Sequence, residues 1–217
     1  MSRSVLIGRF LLPSLLGSAI IVSGPPAATA EDCSVRNSYT TGVALGIAVN
    51  AGNGISTSDV STAIGSSYWG GCSGLGTGMP GLCTSCSATV SVSAVFQAGE
   101  STNQSGSCGR FTPTFTVQPD GTQRMSGGTI VIYESERGTG VDCEPYADRI
   151  AHEIGHVLGL DDASGAGCNG HIMGGRVQGQ NRSVGADDCQ QARDAWDTPS
   201  EVVPDDPNDD GGGPCGV

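Results

Sequence analysis

The chain has 217 residues, 22 acidic against 10 basic side chains, a formal net charge of −12 and a computed pI near 4.3. The ten basic residues are all arginines scattered singly, so no basic stripe exists to hold a phosphate backbone, and nucleic acid is excluded as a partner class. Nine cysteines in so short a chain point to an oxidising compartment and a disulfide-stapled domain.

Residues 1–30 read as a secretory signal: Arg3 and Arg9 precede an apolar run from Phe10 to Val22, and Ala28-Thr29-Ala30 offers small residues for cleavage. The run contains Pro13 and is shorter than a membrane span needs, so no membrane association is expected after cleavage. Cleavage there leaves 187 residues (217 − 30) and a formal charge of −14 (−12 − 2), a length that suits one monomeric, secreted domain. All nine cysteines stay in the mature chain, and their odd number leaves at least one outside an intramolecular bridge.

Between Glu31 and Asp142 the composition is rich in Gly, Ser and Thr. Four runs enriched in β-branched or aromatic residues read as strands: Val43–Val49, Ala88–Phe96, Phe111–Val117 and Thr129–Tyr133. The stretch Thr57–Trp69 spaces Val60, Ile64 and Tyr68 four apart and reads as a short amphipathic helix capped by Thr57 or Ser58. Residues 70–86, with Cys72, Cys83 and Cys86, read as a stapled surface loop. Cys83-Thr-Ser-Cys86 lacks the second pair that a four-thiolate metal site requires.

Chemistry concentrates in Arg149-Ile-Ala-His-Glu-Ile-Gly-His-Val-Leu-Gly-Leu-Asp-Asp162. A helix over 146–158 puts His152 and His156 one turn apart on one face, where both imidazoles reach one cation, with Glu153 beside them to take a proton from a water that the cation activates. A helix continued to Asp162 would carry that residue about 15 Å beyond His152, so the chain must turn, and Gly159 is where a left-handed residue can end the helix. Asp162 then returns as third ligand and leaves a fourth position open. Asp161 is the local rival and reads as a solvated loop carboxylate. His171, the remaining histidine, is the alternative third ligand.

Downstream, Asn169-Gly-His-Ile-Met-Gly174 places Met173 in a tight glycine-flanked turn, and a helix from Asp187 to Trp196, capped by Asp187 or Asp188, sets Cys189, Ala192, Arg193 and Trp196 near one face. Cys168 and Cys189 bracket the Met173 loop and are the expected disulfide. Residues 199–217 are rich in Pro, Asp and Gly and read as a disordered acidic tail, with Cys215 the natural unpaired cysteine.

Residues 128–197 resemble the metzincin zinc endopeptidases. His152, Glu153, His156 and Gly159 match the motif His-Glu-x-x-His-x-x-Gly-x-x-His, and Asp162 stands at its last position, as in snapalysin-like bacterial proteases. The resemblance implies an α+β fold: a twisted mixed sheet with a backing helix, an active-site helix, a Met-turn with Met173 beneath the metal, and a C-terminal helix. It makes residues 31–198 a catalytic domain holding one catalytic Zn2+ on His152, His156 and Asp162, with Glu153 as general base hydrolysing peptide bonds of protein or peptide substrates. It also offers residues in or near Gly128–Glu134 as a strand that pairs with extended substrate, the other reading being an ordinary sheet strand, since nothing in the sequence says which strand is the edge. Structural Ca2+ has no readable signature, and the specificity-determining loop from Gly174 to Val184 obeys no local rule.

Two other functions fit parts of the chain. One is a disulfide-stapled secreted zinc-binding or interaction domain without catalysis, in which Glu153 has no task. The other takes its third ligand from a later glutamate, but only Glu201, in the tail, is available. Latency through a Cys33 thiolate lacks any surrounding latch motif, and a structural disulfide is the expected fate of Cys33.

Overall fold

The computed structural model describes residues 35–36, 46–75, 80–102, 107–119, 121, 123–163, 168, 170–174 and 182–197. The signal stretch 1–30, the tail 199–217, Glu201, Cys33 and Cys215 lie outside them.

Five strands form one mixed sheet in the order β3-β2-β4-β6-β5. β2 (Gly46–Ala51), β3 (Gly81–Cys83), β4 (Val90–Glu100) and β6 (Gln123–Ser135) run parallel, and β5 (Gly109–Val117) closes one side antiparallel to β6. Each expected strand overlaps an observed one, though Val43–Leu45 lie outside the described residues, β4 begins at Val90, not Ala88, and β4 and β6 extend well past the apolar runs that announced them. Alternation explains the inward face of β4, where Val90, Val92 and Ala94 are fully buried and their neighbours are not. Ile47 and Val49 of β2 and Ile130 and Ile132 of β6 complete that layer. With α1 (Thr57–Ala63), α2 (Tyr146–Val157) and α3 (Ala186–Asp197), the fold is α+β, as expected. No helix among the described residues is long and apolar enough to cross a membrane.

Several local expectations need correction. α1 is capped by Ser56, not by Thr57 or Ser58: the Ser56 hydroxyl accepts the Asp59 N–H at 3.0 Å, and the Asp59 carboxylate accepts the Ser56 N–H at 3.3 Å. Residues 70–86 are more than loop. They contain most of a 3-10 turn, η1 (Trp69–Leu75), and the edge strand β3, and Cys83 pairs with Cys86. Gly128–Glu134 lies within β6, whose backbone is paired with β4 on one side and β5 on the other, so it has no free edge for an added strand. The outer strand on that side is β5.

The Cys168–Cys189 bridge is also overturned. Cys189, in α3, pairs with Cys72, in η1, with their Cα atoms 5.5 Å apart. Cys168 is disulfide-bonded to neither of these residues. Packing of α3 on η1 brings together residues 117 positions apart, a contact that neighbourhood in the chain cannot reveal. Arg193, one turn beyond Cys189, reinforces it by donating to the Cys72 carbonyl at 2.6 Å. A third bridge, Cys108–Cys143, ties the start of β5 to the segment entering α2.

α2 is the most enclosed helix. Ten of its 12 residues, from Ala147 to Val157, are buried, because α1 covers one flank while β5 and β6 lie along another. Trp69 fixes the helix further: its indole N–H donates to the Ala151 carbonyl at 2.6 Å, which satisfies a fully enclosed polar handle.

Candidate metal centre

His152 and His156 project from the same face of α2, with ring centroids 4.9 Å apart and planes at 90°. The helix ends as the sequence predicts. Leu158 is the C-cap, Gly159 takes φ 89°, and the Leu158 N–H closes the last turn on the Ile154 carbonyl at 2.9 Å. The reversal at Gly159 has two consequences. It starts β7 (Leu160–Asp161), which pairs antiparallel with β1 (Val35–Arg36), and it swings the Leu160 carbonyl back over His156. Leu160 is wholly buried, which anchors the turn by about 1.5–3 kcal/mol.

Asp162 follows, and its Oδ1 lies 3.0 Å from His152 Nε2 and 3.7 Å from His156 Nε2. The ligand atoms of His152, His156 and Asp162 all lie within 4.8 Å of one another, and the three residues can hold a metal ion. Two nitrogens and one oxygen around a tetrahedral ion sit about 3.3 Å apart at ordinary bond lengths, so small adjustments bring the set into register. Asp161 pairs with Val35 in the β1–β7 ladder and is not one of the three clustered ligand residues.

The backbone orients both imidazoles. His156 Nδ1–H donates to the Leu160 carbonyl at 2.8 Å, and His152 Nδ1–H donates to the Ile172 carbonyl at 2.7 Å. Each bond commits Nδ1 to the backbone and leaves Nε2 facing Asp162, where it donates to the carboxylate when protonated and offers its lone pair to a cation when not. Arg182 also approaches His152 Nδ1, at 3.1 Å, but two donors do not bond each other. Its guanidinium instead shares the Ile172 carbonyl, at 3.3 Å.

Charge in the site is mutually dependent. Burial opposes a charged His156, yet Asp162 and Glu153 outweigh it and raise the imidazole's pKa above its ordinary value. Burial likewise works against an ionised Asp162, but the His152 hydrogen bond and the nearby cationic groups carry its pKa below the usual carboxylate value. For Glu153 burial wins: it holds the carboxyl pKa above the ordinary value against the opposing pull of His156 and His152. Glu153 is 4% exposed, so the site contains a carboxyl group sequestered from water beside two imidazoles.

Met173 is fully buried beneath α2. A Cβ on Gly155 would run into Met173 Sδ and lie 3.0 Å from its Cε and 3.1 Å from Trp69 Cζ2. The glycine in mid-helix therefore exists for close approach, at a known cost in helix propensity. The turn is tied to the ligand loop, since the Ala163 N–H donates to the Met173 carbonyl at 2.8 Å.

His171 does not join the ligand group. Its Nδ1 faces the wholly buried Asp188 at 3.7 Å, because the His171–Gly174 turn directs it toward the start of α3. Asp188 accepts the Gly185 N–H at 2.7 Å. It closes the entry to α3 as the fourth residue of a capping arrangement, not as the cap itself.

Four contributors escaped the sequence reading. The carbonyls of Leu160 and Ile172 carry no side-chain signal at all. Arg182 stood in a stretch without periodicity. Gly155 was visible as a glycine inside a helix, and that anomaly was its only signal.

Comparison with known proteins is silent: no protein-family model matches the chain, and no curated protein matches it in sequence.

Proposed function

We propose that this chain is a secreted zinc endopeptidase of the metzincin kind. The observation that carries this reading is the position of Glu153: a buried carboxylate next to His152 on a helix whose two histidines converge with Asp162. A structural metal site needs its ligands and nothing more, whereas a hydrolytic one needs a base at that place.

Two imidazoles and one carboxylate, with a fourth position left for solvent, suit zinc. Zinc held there supplies the Lewis acidity that polarises a peptide carbonyl and acidifies a water. The chain's own residues do the rest. Glu153 accepts the proton from water as its oxygen bonds to the carbonyl carbon, then delivers that proton to the amine nitrogen as the C–N bond breaks. Leu160 and Ile172 hold the imidazoles in the ligating tautomer, and Met173 closes the floor of the site with an apolar surface.

The substrate is an extended segment of protein or peptide. β5 takes the role that the resemblance suggested for Gly128–Glu134: it is the outer strand of the sheet, it packs against α2, and no described strand pairs with its far edge. An added strand there places its backbone alongside Glu153. Secretion is supported by the signal-like first 30 residues and by the bridges Cys72–Cys189, Cys83–Cys86 and Cys108–Cys143.

The test is metal analysis and digestion of a peptide library with one purified sample. One zinc per chain, cleavage abolished by a chelator and cleavage restored by zinc are the expected results. One zinc per chain with no library peptide cut would replace this reading with a non-catalytic zinc-binding domain.

A further inference from the structure

We infer that Gly109 is a positioning residue: its missing side chain reserves the space in which the Glu153 carboxylate is held. The inference rests on the hydrolytic role of Glu153 proposed above.

Gly109 is the first residue of β5 and pairs with Ile132 in ordinary antiparallel register. Its backbone is not among the glycines with positive φ, so an L side chain meets no conformational barrier at this position. The barrier is spatial. A Cβ there would collide with Glu153 Oε1 and lie 2.9 Å from Cδ and 3.0 Å from Cγ, and these are the three nearest atoms it would meet. The three nearest contacts of the absent methyl group are thus with one side chain, and that side chain is the proposed base.

One partner has to yield, and the strand is the stiffer of the two. Cys108, the preceding residue, is bonded to Cys143, which lies two residues before the Pro145 that caps α2. The Cys108 carbonyl accepts the Tyr133 N–H at 2.9 Å, and the Gly109 carbonyl accepts the Ser107 hydroxyl at 2.8 Å. Backbone pairing and a covalent staple therefore fix residues 107–109 with respect to both β6 and α2. The end of a glutamate side chain, by contrast, moves by rotating single bonds. A methyl group at 109 displaces the carboxylate and leaves the strand in place. Displacement of a proton-transferring group by an ångström removes most of its effect while leaving the fold and the ligand set intact.

The experiment is a two-by-two set of full-length variants: wild type, Gly109→Ala, Glu153→Asp and Gly109→Ala/Glu153→Asp. Expected for Gly109→Ala is one zinc per chain, a thermal midpoint near that of wild type, and a kcat lower by about tenfold or more. Aspartate is one methylene shorter and makes room for the methyl group. Glu153→Asp lowers kcat in the wild-type background and raises it when residue 109 is alanine. A crystal structure of chelator-treated Gly109→Ala supplies a readout independent of turnover, with the Glu153 carboxylate displaced from its wild-type position.

Wild-type kcat in Gly109→Ala, an undisplaced carboxylate, or equal losses from Glu153→Asp in both backgrounds would overturn the inference. Should Gly109→Ala fail to fold, the double variant must fold and cleave, and its failure would also overturn it. An active wild type with a fully active Gly109→Ala sinks only the role of Gly109, whereas a zinc-loaded wild type that cleaves nothing sinks the protease reading and this inference with it.

Discussion

α2 and β5 flank the same carboxylate and contribute to it by opposite means. α2 supplies groups: His152, Glu153 and His156 within five consecutive residues of a helix enclosed on nearly every side. β5 supplies room. It is a half-exposed outer strand whose first residue lacks the atoms that would otherwise fill the space of Glu153. Ligand placement is thus a local property of helix geometry, and the space around the base is a tertiary property of two elements stapled together by Cys108–Cys143.

This contrast can be broken from either side. The largest effect belongs to the ligands: His156→Ala removes one of three donors, and its zinc affinity should fall by about a hundredfold or more, with turnover lost alongside. Competition with a chromogenic chelator measures it. Retention of wild-type affinity would show that the metal is held elsewhere.

Arg182→Ala comes next. It leaves all ligands in place but removes the guanidinium that shares the Ile172 carbonyl with His152. Zinc affinity should fall by about tenfold, the lower end of the range for groups that orient a ligand, and the same chelator competition reads it.

The smallest effect is one of packing. Gly155→Ala drives a methyl group into Met173 and Trp69 and should cost about 1–3 kcal/mol of stability by overpacking, despite alanine's better helix propensity. Urea unfolding of the metal-free protein measures it. A more stable variant would mean that Met173 is not pressed against the helix.

Legibility in the sequence followed the same division. Helix α2, its termination at Gly159 and the return of Asp162 could be read because each follows from spacing within a dozen residues and from the conformational freedom of one glycine. The strands were readable from their β-branched runs, but their order was not. β6 carries the strongest strand signal because it is internal and buried, and its pairing on both sides rules out the substrate-pairing role that the family resemblance suggested for Gly128–Glu134. The Cys72–Cys189 bridge was hidden for a related reason. It depends on where α3 packs, whereas Cys168 and Cys189 looked paired because both flank the Met173 turn. His171 carried the residue type of a ligand, and only the direction of its turn, toward Asp188, separates it from the ligand set.

The central claim is that Glu153 is the base of a hydrolytic zinc site. It is tested most directly by measuring metal content and peptide cleavage together on Glu153→Ala. The account predicts one zinc per chain, as in the wild type, with cleavage reduced by about a hundredfold to ten-thousandfold. A zinc-loaded Glu153→Ala that cleaves at the wild-type rate would contradict it.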